Sequence, residues 1–179
     1  QNPNDQFFSK DVENEVALIG ENMGMERNLL RRKVQNSLQE IGISDLKTRK
    51  VRELSGGQKQ KVAIASTLVF DSEIILLDEP SANLDYTSTN ELGRILKHLK
   101  DCGKTIIIVE HRLSYLFRLI DRMIVLKEGK IEGIFSSKDL TSDLEQKNEL
   151  RSFNNNNLKS VMEYPDDNQM IRIEDVYIS

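Results

Sequence analysis

Three short stretches hold the side chains whose types and spacing could do chemistry. In the first, the apolar run Ile74 to Leu77 leads straight into Asp78-Glu79-Pro80. Such a run reads as a buried strand, and two carboxylates at its carboxyl end stand where open α/β sheets collect their ligands. Asp78 suits a hydrated Mg²⁺, which keeps several waters and takes only one or two carboxylates. Glu79 points to the other face and suits polarisation of a water for in-line attack on phosphorus, a contribution of about 10²–10⁴-fold. Without context, the same acids read as a solvated strand end.

The second stretch is Leu54-Ser55-Gly56-Gly57-Gln58, ahead of a predicted helix over Lys59 to Phe70 with Val62, Ala65, Leu68 and Val69 on one side. Ser55 and Gln58 have capping-box spacing, so the helix should begin there, and two glycines let another group come close to its first N–H groups. The helix dipole alone favours an anion at that point by about 0.3–1 kcal/mol. Ser-Gly-Gly by itself reads as a plain helix cap, and its context is what favours the anion site. The third stretch is Glu110-His111, just past the predicted strand Thr105 to Val109. Parallel neighbours end on one side, so His111 is expected near Asp78 and Glu79, where an imidazole can donate to a γ-phosphate. His98 reads instead as a plain polar residue off the apolar stripe of its helix, and Cys102 as an idle thiol.

The elements that must position these groups alternate. Leu30, Val34, Leu38 and Ile41 recur at helical spacing within Glu26 to Ile41, with Gly42 as the stop. Leu92, Ile95, Leu96 and Leu99 mark a helix over Ser88 to Lys100, closed by Gly103. Between and after them lie Ile74 to Leu77, Thr105 to Val109 and Met123 to Leu126, apolar throughout, as strands covered on both faces are. Strand, helix, strand, helix, strand implies an α/β fold with parallel pairing through right-handed crossovers. Glu128-Gly129-Lys130 should turn the chain back into an edge hairpin over Ile131 to Phe135. Asp85, after Ser81-Ala82-Asn83-Leu84, stands near the start of the second helix.

Composition narrows the function classes. The 179 residues carry 25 basic and 29 acidic side chains, a net charge of −4, without the basic excess of a nucleic-acid binder. A single cysteine forms no internal disulfide, and no apolar run approaches bilayer length. The charge is uneven: residues 136–179 hold five basic and nine acidic side chains, whereas residues 1–135 balance. Residues 141–168, with Asn154-Asn155-Asn156-Asn157 and Pro165-Asp166-Asp167, read as a linker. Met170 to Ile178 then reads as the opening strand of something further. Residue 1 is glutamine and no signal segment follows it, so the chain is expected to be a piece of a longer one.

In that order, Leu54-Ser55-Gly56-Gly57-Gln58, the apolar run into Asp78-Glu79-Pro80, Ser81-Ala82-Asn83-Leu84-Asp85, and His111 resemble the signature, Walker B, D-loop and H-loop of an ATP-binding-cassette (ABC) ATPase. Gln1-Asn2-Pro3 with Asp5-Gln6-Phe7-Phe8 looks like the Q-loop, which makes Gln1 a magnesium- and water-contacting glutamine. The Q-loop form and Glu110-His111-Arg112-Leu113 are most similar to energy-coupling-factor ATPases, which power uptake of vitamins and of cobalt or nickel ions. The resemblance implies a partial ABC-type domain of the P-loop NTPase class over residues 1–140, with a helical subdomain over about 1–57 and the carboxyl-terminal part of the parallel-sheet core. Residues 169–179 resemble the first strand of another cassette, as in a tandem protein.

One departure is large. The phosphate-binding loop Gly-x-x-x-x-Gly-Lys-Ser/Thr is absent, and Gly103-Lys104-Thr105 precedes a strand instead of following one. In the family that loop lies before the Q-loop, and its strand is expected between the strands bearing Walker B and the H-loop; the segment alone is therefore expected to be inactive. The family mechanism implies two cassettes closing head to tail on ATP and Mg²⁺. Ser55, Gly56, Gly57 and Gln58 then serve the partner's nucleotide, while Asp78, Glu79, Gln1 and His111 serve their own, with Glu79 as base and Asp85 communicating between sites. An integral membrane subunit is expected to rest on the amphipathic Phe7 to Met25 region, putting the protein on the cytoplasmic face of the membrane, with no nucleic acid as partner. Two rival readings stay open: a soluble ATPase of the same superfamily acting on ribosomes or DNA, and a degenerate, non-catalytic cassette.

Overall fold

A computed structural model describes residues 7–136 and 173–175. They fall into two compact units.

The first unit takes in residues up to 75 together with 81–104 and is built from α1 (Val12–Asn22), α2 (Arg27–Glu40), α3 (Gly56–Leu68) and α4 (Tyr86–Asp101). Carboxylates start three of these helices, α1, α2 and α4. Asp11 accepts from the Asn14 amide at 3.0 Å, and Glu26 accepts from the Asn28 and Leu29 amides at 2.9 and 2.8 Å. Gly42 and Gly103, at φ of +72° and +83°, end α2 and α4 where a side chain would be strained. The periodic apolar residues point inward as expected: Val16, Leu30, Val34, Val62 and Ala65 are buried where α1, α2 and α3 pack together, and Leu96 and Leu99 are buried on α4. Ser37 supports this core with a polar clamp, its hydroxyl donating to the Ala65 carbonyl at 2.8 Å. The amphipathic stretch from Phe7 is realised as α1, and Phe8, Ile19 and Met23 stay exposed.

The second unit holds residues 76–80 and those from 105 onward. It contains the carboxyl-terminal part of β1 (Ile74–Asp78), then β2 (Thr105–Val109), β3 (Arg122–Lys127), β4 (Lys130–Ser136) and β5 (Ile173–Asp175). The hairpin falls where the turn residues put it: β3 and β4 pair antiparallel around Glu128 and Gly129, both at positive φ, with β4 at the edge of the order β4-β3-β5. β5 pairs parallel with β3, Ile124 opposite Ile173.

Three expectations need correction. Among the described residues the strands do not form one hydrogen-bonded sheet, because β1 pairs with β2 in a sheet separate from β4-β3-β5. No strand separates β1 from β2 either: the two are direct neighbours, so the expected place for the strand of the phosphate loop between them is taken by their own ladder. Finally, β1 is not covered on both faces. Ile75 and Leu77 are buried, whereas Ile74 and Leu76 are 61% and 68% exposed. An apolar run reports that both faces want cover, and among the described residues only one face receives it.

Candidate active site

The acidic pair sits where β1 ends. Asp78 is the last residue of the strand and is exposed. At Glu79 the backbone leaves the strand with φ of +42°, a left-handed conformation that costs a non-glycine residue about 1–2 kcal/mol. The turn is held by the Glu79 amide, which donates to the Val109 carbonyl on β2 at 2.8 Å. Its effect is to aim the carboxylate at the residue following β2 and Glu110. His111 Nε2 lies 2.9 Å from Glu79 Oε1, which is the proximity expected from the sequence. An ionised carboxylate only accepts, so the ring carries its proton on Nε2 in this pair. Both side chains are about one-third exposed, at 31% and 39%, so the contact orients the groups more than it stabilises the fold.

Glu110 holds this arrangement from behind, a role that sequence reasoning missed. It is 1% exposed. Its Oε1 accepts from the backbone amides of His111 and Arg112 at 3.0 and 3.1 Å, and its Oε2 accepts from the Tyr115 hydroxyl at 2.9 Å. A buried carboxylate bonded to the backbone of the next two residues fixes the loop from which the imidazole projects. The only signal in the sequence was an acid between an apolar strand and a histidine.

The other motif residues belong to the first unit. Ser55 is the N-cap of α3 and the capping box forms as expected: Ser55 Oγ accepts from the Gln58 amide at 3.3 Å and Gln58 Oε1 accepts from the Ser55 amide at 3.0 Å. The glycines allow a close approach, and the groups that approach belong to the chain itself. A Cβ on Gly56 would stand 3.1 Å from the Asn83 carbonyl oxygen, and one on Gly57 would stand 2.5 Å from Ser88 Oγ and 2.8 Å from Ser88 Cβ. Asp85 is the N-cap of α4, its carboxylate accepting from the Ser88 amide at 2.7 Å. That backbone bond, with the Ser88 side chain and the Thr87 amide, holds the Asp85 carboxyl below the usual carboxylate range. A second buried acid that the sequence did not flag, Glu15, receives the Phe8 and Ser9 amides at 3.0 and 2.7 Å and ties the chain ahead of α1 to that helix. Gln1, the linker 141–168 and the ends of the 169–179 strand lie outside the described residues.

The chain's similarities agree with this set of motifs. Residues 4–82 match the ABC transporter family. An ABC transporter ATP-binding protein of Treponema denticola is 46% identical over 131 residues, covering 73% of this chain and 27% of that protein. The energy-coupling factor transporter ATP-binding protein EcfA1 of Streptococcus sanguinis is 39% identical over 149 residues, 82% of this chain and 53% of that protein. Among solved structures, cbiO1 of Clostridium perfringens, part of the ABC transporter complex cbiONQ, aligns with a TM-score of 0.73 at 34% identity, covering 80% of this chain and 58% of that one. An ATP-binding cassette of an ABC transporter in its ADP conformation aligns with a TM-score of 0.68 at 26% identity, covering 78% and 60%. The chain thus spans about a quarter of the first of these relatives and about half of the second. Family match, relatives and structural neighbours agree: over residues 4–82 the chain matches the ABC transporter family, and its relatives and structural neighbours are ATP-binding proteins and cassettes of ABC transporters.

Proposed function

We propose that the chain belongs to the ATP-hydrolysing subunit of an ABC importer, which couples MgATP hydrolysis between two head-to-tail cassettes to uptake of a metal ion or vitamin. The observation that carries this reading is the Glu79–His111 pair at 2.9 Å, at the end of a strand that matches Walker B. The names of the relatives, an energy-coupling factor ATPase and a member of a cbiONQ complex, support the importer class.

The chemistry follows from the donor set. Asp78, an exposed hard oxygen donor, fits Mg²⁺, with the Gln1 amide as a second, and the ion supplies charge neutralisation to the phosphate oxygens. Glu79 takes a proton from the attacking water as the bond from its oxygen to the γ-phosphorus forms. The bridging P–O bond breaks with its electron pair to ADP. His111 holds Glu79 through Oε1, which leaves Oε2 for the water. Exchange of the Nε2 bond from Glu79 to the γ-phosphate then links nucleotide occupancy to the position of the base. Ser55 accepts from the Gln58 amide and still has its own hydroxyl proton to donate, which suits a partner cassette's phosphate. Asp85 lies in the same unit, behind Gly57 through Ser88, and so connects the signature helix with the D-loop.

In this reading the exposed Phe8, Ile19 and Met23 on and around α1 meet the membrane subunit, and residues 169–179 open a second cassette after the linker 141–168. Phosphate release from MgATP by the intact protein tests the proposal. Ser55→Arg, which blocks the head-to-tail contact without touching Glu79, should abolish turnover while leaving nucleotide binding in place. Turnover at the wild-type rate in Ser55→Arg would overturn the two-cassette mechanism.

A further inference from the structure

His98 and Cys102 read in the sequence as a plain polar residue and an idle thiol, yet the fold brings both to a third ligand. We propose that Glu40, His98 and Cys102 form a binding site for a thiophilic divalent cation, with Zn²⁺ the best fit. Glu40 is the last residue of α2, His98 lies in the last turn of α4, and Cys102 is the C-cap of α4. His98 Nε2 is 3.7 Å from Glu40 Oε1 and 3.8 Å from Cys102 Sγ, and the three donor atoms all lie within 4.8 Å of one another. Tetrahedral zinc, with bonds of about 2.0–2.3 Å, holds such donors about 3.4–3.6 Å apart. The two His98 separations are within a few tenths of an ångström of this, and the Glu40–Cys102 separation, no more than 4.8 Å, closes to it by about 1 Å, within the reach of exposed side chains. Oxygen, imidazole and thiolate donors with a fourth position left to water suit zinc and exclude Mg²⁺ and Ca²⁺, which take oxygen.

The local backbone makes the arrangement more than a chance meeting of surface groups. The Cys102 amide still donates to the His98 carbonyl at 2.9 Å, so the thiol keeps its i, i+4 place on the same helix face as the imidazole. Gly103 then turns the chain away at φ of +83°. Both α2 and α4 end at the site, and two helix carboxyl termini present partial negative charge to a cation. The nearby Lys97 ammonium is held by Asp101 at 2.7 Å and does not occupy the cluster. The long Glu40–His98 contact is weak enough for a metal to replace it.

Titration of Co²⁺ alone into the metal-stripped intact protein tests the site, because a thiolate bound to tetrahedral cobalt gives a charge-transfer band and intense visible bands. One equivalent of cobalt is expected to raise these bands, and one equivalent of Zn²⁺ to remove them. Cys102→Ser should abolish the charge-transfer band, and His98→Ala and Glu40→Gln should each weaken binding by about tenfold or more. The three positions are exposed, so circular dichroism should show each variant folded. A band equally strong in Cys102→Ser, or cobalt uptake that none of the three substitutions changes, identifies an adventitious ion only and overturns the proposal.

Discussion

Replacing Glu110 by alanine should unsettle the candidate site without touching any group that meets substrate. The carboxylate takes two backbone N–H groups and one phenol, at 3.0, 3.1 and 2.9 Å, in surroundings that leave it 1% exposed. A hydrogen bond to a charged group is worth about 1.5–3 kcal/mol, and removing one partner of a buried charged network costs about 3–5 kcal/mol because the remaining donors lose their acceptor. Glu110→Ala is therefore expected to cost about 3–5 kcal/mol, and Tyr115→Phe, which removes one donor, about 1.5–3 kcal/mol. Urea unfolding followed by circular dichroism reads both: with a slope of about 1–3 kcal/mol/M, the alanine variant's midpoint falls by about 1–5 M. The double variant Glu110→Ala/Tyr115→Phe should cost less than the two singles added together, because the Tyr115–Glu110 bond is lost in both singles but counted once in the double. A Glu110→Ala protein within about 0.5 kcal/mol of wild type, the range of an ordinary surface change, would refute the assignment of Glu110 as the anchor of the His111 loop.

Other expectations follow from single contacts. Gly57→Ala puts a methyl 2.5 Å from Ser88 Oγ and should destabilise by about 1–3 kcal/mol, and Gly57→Ala/Ser88→Gly should recover much of this in the same unfolding assay. Ser55→Ala loses the α3 cap and should cost about 0.5–2 kcal/mol of stability. Asp85 and Glu26 are both held below their ordinary carboxylate pKa by the backbone amides they cap, Ser88 for Asp85 and Asn28 then Leu29 for Glu26. Their contribution is present above the unfolded pKa and lost as pH falls through the folded one, so stability should decline on the acid side of about pH 4, and Asp85→Asn with Glu26→Gln should flatten that decline. An acid limb unchanged in the double variant would place its origin in other carboxylates.

Periodicity carried the helices and the order of elements, because apolar residues at i, i+3, i+4 and i+7 bury one helix face whatever lies beyond it: Leu30, Val34 and Leu38 on α2 and Leu92, Leu96 and Leu99 on α4 are all buried. Glycine and capping chemistry carried the boundaries at Ser55, Gly42 and Gly103, since those are local. The Glu79–His111 pairing was readable because both residues follow strands that lie side by side. What stayed hidden depends on partners with no sequence signature. Glu110 and Glu15 bind backbone amides, which every residue has. The contact of Gly57 with Ser88, and the meeting of Glu40 with His98 and Cys102, exist only once α2, α3 and α4 are folded. The apolar sequence of β1 gave its strand character and not which of its faces would be covered.

Glu79 is assigned as the acceptor of the attacking water's proton, and single-turnover release of phosphate from bound MgATP by the intact Glu79→Gln protein tests that assignment. Glutamine keeps the size of the side chain and a partner for His111 but cannot take up that proton. Nucleotide binding is expected within a few-fold of wild type and phosphate release slowed by about 10²-fold or more. Phosphate release at the wild-type rate from Glu79→Gln would contradict the assignment.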